Sequence, residues 1–331
     1  MGASPMGVGA ALTPRPPKSS CTQRRLDPQS SHATVASPPR STQLMGMTML
    51  NKILVPLDGS SLSERILDRL EPIFQQEHPD VHLLRAVPGP AGDEQAEELA
   101  AARVQLERFA ETLSNRRATF STHVVAGDPS QAILSFIDKN TPELVAMSTH
   151  GSSGITRWVR GSVAERVLRR CPVPLLLANP ESLEPSGRLG FGRILVPLDG
   201  SKTAAEILPA VEQLARPNAG EIILLCVERP EVVVAPMGSP AQPDQGQRAR
   251  ETLAPYLSML TTAGLQARVK VAIGPPAEWI LKAAEEESVD LLAMTTHGRS
   301  GPSRWLFGSV AEKVLRASPC PLLVRRSLSQ S

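Results

Sequence analysis

The chain carries two copies of one unit, and this duplication limits its possible folds more than any feature of composition. Ile53–Ser60 reads Ile-Leu-Val-Pro-Leu-Asp-Gly-Ser, and Ile194–Ser201 repeats all eight residues 141 positions later. Residues 150–177 and 297–324 match at 18 of 28 positions, at an offset of 147. The extra six residues fall between these blocks, in the stretch holding Val232–Gly246. A period this long means a duplicated domain rather than a stack of small repeats. The length of 331 residues suits two domains that each bury a core. The expected division is a Pro/Ser-rich tail over 1–48, a first domain over 50–179, a linker over 180–191 and a second domain over 192–326.

The tail holds seven prolines and five basic residues against the single acid Asp27, and it shows neither helical nor alternating periodicity. Such a segment cannot bury enough apolar surface to offset chain entropy, so it is expected to be disordered. Met45, Met47 and Met49 stand just before the first apolar run, and the natural start is expected among them. The tail thus carries +4 against a net charge of +2 for the chain, which leaves the body mildly acidic at −2. A body without a basic stripe gives little support to duplex DNA binding, and 3% aromatic residues disfavour a stacking platform for single strands. No apolar run approaches the roughly 18–20 residues of a membrane helix. Cys21, Cys171, Cys226 and Cys320 form no CxxC pair, as expected of reduced thiols in a cytoplasmic protein.

Within each copy, short Val/Ile/Leu runs alternate with helical patterns, which predicts a parallel sheet covered on both faces. Strands are expected near 52–58, 80–87, 119–126, 143–149 and 174–178, and again near 193–199, 221–227, 267–273, 290–296 and 321–325. Leu62–Phe74, Glu97–Leu113 and Gln131–Ile137 have apolar residues at helical spacing. The fold class is α/β, with two doubly wound domains of five strands each.

Ligands of open parallel sheets bind beyond the carboxyl ends of the strands, and three duplicated features fall there. Asp58 and Asp199 end the first strand of each copy before a Gly-Ser turn. Their carboxylates suit ribose hydroxyls or a base amine, and equally suit shaping the turn and capping the next helix. A glycine-rich stretch follows the fourth strand. It comprises His150, Gly151 and Gly154, then Gly161-Ser162, and in copy two His297, Gly298 and Gly301, then Gly308-Ser309. Glycines followed by a helix start offer backbone amides to an anion, although neither a Walker A loop nor GxGxxG is present. Ser162 and Ser309 each stand three residues before a glutamate, as in a capping box. His150 and His297 either reach a phosphate oxygen or brace the turn. Gly127 and Gly274 follow the third strand beside prolines suited to a first helical turn, and allow close approach of a ligand. His78, His82 and His123 lack metal-ligand spacing.

Both copies resemble the universal stress protein (UspA-like) domain over residues 50–326. The resemblance rests on the opening Ile-Leu-Val-Pro-Leu-Asp and on the closing Gly-Ser-Val-Ala-Glu-Arg/Lys-Val-Leu-Arg with Pro-Leu-Leu. It implies the strand order 3-2-1-4-5 and ATP in the strand-end crevice. The aspartate would lie near the adenosine and the glycine loop around the phosphates, with any Mg2+ arriving on the ATP. The spacing from Gly151 to Gly161, and from Gly298 to Gly308, matches that of the family's nucleotide binders. Ser148 and Thr295 replace the family's first glycine, and Pro302 removes one amide from copy two, which leaves copy one the better site. The resemblance further implies pairing of domains through their last strands, here within one chain, with a homodimer left open. No activated nucleophile or general base is legible, so the expected role is nucleotide-dependent signalling or association in the stress response. A slow ATPase using Asp58 or His150, and a nucleotide-free scaffold, are the alternatives.

Overall fold

The computed structural model describes residues 49–149, 162–179, 190–229, 245–296 and 308–327. The expected tail, most of the linker and the two glycine-rich stretches lie outside these residues, and with them His150, Gly151, Gly154, Gly161, His297, Gly298 and Gly301. Copy one supplies β1 (Lys52–Pro56), β2 (Asp80–Val87), β3 (Thr119–Ala126), β4 (Leu144–Ser148) and β5 (Leu175–Ala178). Copy two supplies β6 (Arg193–Pro197), β7 (Glu221–Glu228), β8 (Gln266–Ile273), β9 (Leu291–Thr295) and β10 (Leu322–Arg325).

All ten strands join one sheet in the order β3-β2-β1-β4-β5-β10-β9-β6-β7-β8. Each half therefore has the 3-2-1-4-5 order, and pairing within each half is parallel. The halves meet where β10 pairs antiparallel with β5, Leu323 standing opposite Leu176. This is the intrachain pairing of last strands that the resemblance implied. Residue type follows position across the sheet. Central strands such as β4, β5 and β9 are Val/Leu/Met/Ala runs buried on both faces. The edge strands β3 and β8 are half-exposed and carry Thr, Ser and His or Gln, Arg and Lys, polar side chains that discourage edge-to-edge pairing.

Helices cover both faces. In copy one they are α1 (Ser61–Glu64), α2 (Ile66–Arg69), α3 (Glu71–Glu77), α4 (Asp93–Thr112), α5 (Pro129–Asn140) and α6 (Ser162–Arg170). In copy two they are α7 (Lys202–Ala205), α8 (Leu208–Ala215), α9 (Gln245–Thr262), α10 (Pro276–Glu286) and α11 (Ser309–Ala317). The single helix expected over 62–74 is instead three short ones. Asp68 and Leu70 donate three residues back, to Arg65 and Leu67, and Pro72 has no N–H with which to continue the ladder. One core cluster on each face contains residues of both copies, so the hydrophobic interior crosses the junction without a break. Gln76 Nε2 adds a polar link by donating to the Pro217 carbonyl at 2.7 Å.

Candidate functional site

Parallel register brings the carboxyl ends of β1, β2, β3 and β4 to one edge of copy one. Asp58 lies just beyond β1 and is exposed. Its Oδ1 accepts from the Ser60 amide at 3.0 Å and the Ser60 hydroxyl at 2.6 Å, while Ser60 Oγ caps α1 by accepting from the Ser63 amide at 3.2 Å. Asp199 and Ser201 repeat this arrangement at 2.9, 2.6 and 3.1 Å, the last bond running from the Ala204 amide. The turn-forming role is thus present in both copies. It engages Oδ1 of each carboxylate.

Sequence reasoning missed Arg85. Its guanidinium covers Gly59 in the space a Cβ would take, and Nη1 donates to Gln105 Oε1 at 2.7 Å. Nearby, burial raises the Glu64 carboxyl above its ordinary pKa, with Asp58 adding to the rise and Arg85 opposing it. The corresponding residue of β7 is Cys226, so this cation is peculiar to copy one.

Beyond β3, Gly127 donates its amide to the Val87 carbonyl at 2.8 Å and holds φ +118°, with no atom of the described residues within 4 Å of the position a Cβ would occupy. L side chains rarely adopt that conformation. Asp128 follows as the N-cap of α5, accepting from the Gln131 amide at 3.1 Å, with Pro129 as the first helical residue. Asp128 Oδ2 also accepts from Arg166 Nη1 at 2.7 Å, tying the start of α5 to α6. The Ser130 hydroxyl foremost, then the Gln131 amide and Arg166, hold its carboxyl down at about 2.

Copy two departs from this. Gly274 has φ +146° and the same amide bond, to the Glu228 carbonyl at 2.8 Å, but the indole edge of Trp279 fills the space above it. The expectation that Gly274 leaves room for close ligand approach is therefore corrected. The N-cap is now Pro275, which has no carboxylate to offer.

The capping boxes expected at Ser162 and Ser309 are also corrected. Ser309 is the first residue of α11, and its N-cap is Gly308 in extended conformation, with no side-chain cap bond. Ser162 is likewise the first helical residue of α6. Both serines are exposed. The Gly308 amide donates to the Thr296 carbonyl at 2.9 Å, so it closes the base of the loop rather than facing a ligand. The first helical bond of α11 runs from Glu312 to the Gly308 carbonyl at 2.9 Å, which leaves the amides of residues 309–311 without intrahelical acceptors. Ser148 and Thr295, in place of the family's first glycine, are the last residues of β4 and β9.

The universal stress protein family model matches residues 49–179 and again 190–326. The chain belongs to the universal stress protein family. Universal stress protein YxiE of Bacillus subtilis is 33% identical over 147 residues, covering 41% of this chain and 99% of the relative. Universal stress protein Mb2028c of Mycobacterium bovis is 26% identical over 219 residues, 64% of this chain and 71% of its own length. Among solved structures, a universal stress protein from Archaeoglobus fulgidus superposes with a TM-score of 0.65 at 21% identity, covering 84% of this chain and 99% of its own.

Two further groups of residues lie away from the strand-end edge of this universal stress protein. His82 Nδ1 and His123 Nε2 are 3.1 Å apart on neighbouring strands, under the ring of Phe136. Burial lowers the pKa of both, and the His123 ring further disfavours a proton on His82. Cys171, Cys226 and Cys320 are buried thiols rather than disulfide partners, and burial pushes Cys171 up to about 11 and Cys320 to about 12, which makes them inert. Among the described residues, no group of three or more His, Cys, Asp or Glu side chains is placed to hold a metal, and no helix is long and apolar enough to cross a membrane.

Proposed function

We propose that the chain binds ATP along the strand-end edge of copy one and acts in the stress response through nucleotide-dependent signalling or association. The observation that carries this reading is the space over Gly127, which no described residue fills, at the same edge as the Asp58 turn. A backbone held at positive φ with no atom of the described residues above it leaves room for a ligand against the main chain. Asp58 would accept from the adenosine, and the stretch His150, Gly151, Gly154, Gly161 and Ser162 would surround the phosphates. Mg2+ would be held by phosphate oxygens and water.

Calorimetry of the full chain with Mg-ATP tests the reading. Binding should release or absorb heat, and ATP at 100 times its dissociation constant should stabilise the fold by about 2.7 kcal/mol. No heat and no melting shift would leave a nucleotide-free scaffold as the better account. The role is binding rather than turnover, so single-turnover assays should show no phosphate release above the buffer rate. Release that disappears in His150→Ala would instead favour a slow ATPase.

A further inference from the structure

The two copies differ at one end of the strand-end edge. Strands β4, β1, β2 and β3 lie side by side, so that edge spans about 14 Å at ~4.8 Å per strand spacing. The glycine-rich stretch follows β4 and Asp58 follows β1. On the nucleotide reading, phosphates over β4 and a ribose over β1 would leave the base over β2 and β3, where no atom of the described residues stands over Gly127. In copy two the matching place, over Gly274, is filled from within the chain. Pro276 opens α10, which sets Trp279 at the fourth helical position, and its amide donates to the Pro275 carbonyl at 3.1 Å. Side chains lean toward the N-terminus of their helix, and the indole duly falls back onto Gly274. The ring packs on the core cluster of that face, and the Lys282 ammonium lies 4.5 Å from its centroid. The residue of copy one at the Trp279 position is Ala132, whose methyl does not reach the space over Gly127.

We infer that Trp279 is a specificity-determining plug, its indole standing where a purine would lie, so that the chain takes a single nucleotide, in copy one. This rests on the nucleotide reading of copy one given above. Native mass spectrometry of the full chain in saturating Mg-ATP tests it with reciprocal variants. The unaltered chain should carry one ATP, Trp279→Ala should carry two, and Ala132→Trp should carry none. Circular dichroism checks that each variant folds, and Ala132→Leu, with the same expected loss, replaces Ala132→Trp if the larger ring prevents folding. Two nucleotides on the unaltered chain, one persisting in Trp279→Ala, or one persisting in the Ala132 variant would each overturn the plug. No nucleotide on any of the chains would instead overturn the copy-one reading itself, so the two failures are distinguishable.

Discussion

Gly127 and Gly274 share a positive φ and the same amide bond to the neighbouring strand, and differ in what covers them. Gly127→Ala should destabilise the fold by roughly 1 kcal/mol or more through backbone strain, since no atom of the described residues stands in the way of the methyl. Urea denaturation would measure this. The His82–His123 pair supplies a second expectation. Both rings have lowered pKa values in the folded chain, so the neutral forms are favoured there. Their contribution is complete above the unfolded value of about 6.5 and is lost as pH falls below it toward the folded values. Lys52 also lowers the pKa of His82 and Asp80 opposes it, so the pair sets only part of the slope. Stability measured from pH 7.5 down to 5.5 should fall, and His123→Gln should flatten the fall; an unchanged slope would refute the assignment. The Asp58 turn and the glycine after β3 were legible in the sequence because their roles are local. The histidine pair was not, because 41 residues separate its members and only the register of β2 against β3 joins them.

At the scale of elements, the cap of α5 separates the copies most plainly. Asp128→Ala removes the N-cap acceptor and should cost about 1 kcal/mol. The Arg166 ion pair is half-exposed and should contribute little of that. Because the Asp128 carboxyl is held down at about 2, its contribution is present above roughly pH 3.9 and disappears as pH falls to 2. Melting curves across that range should show Asp128→Ala converging on the unaltered chain. Strand positions were readable from apolar runs because burial on both faces leaves little freedom of composition. Helix starts were less so. Ser-Val-Ala-Glu reads as a capping box, yet the extended residue is the preceding glycine at Gly308, and the serine falls inside the helix. The placement of Trp279 over Gly274 was hidden for the same reason, since it depends on which residue opens α10.

For the whole molecule, the β5–β10 seam and the two shared core clusters make the halves one cooperative body. Leu323 is fully buried opposite Leu176 at that seam. Leu323→Ala should cost about 2–5 kcal/mol, and chemical denaturation should still give a single transition. Two resolved transitions would show that the halves unfold separately. The antiparallel seam has one more consequence. Strands in the two halves point in opposite senses, so their carboxyl ends finish on opposite rims of a common sheet. A molecule seated on one rim stands across the sheet from the other, and the two are joined through the strand ladders and the core clusters that both halves share.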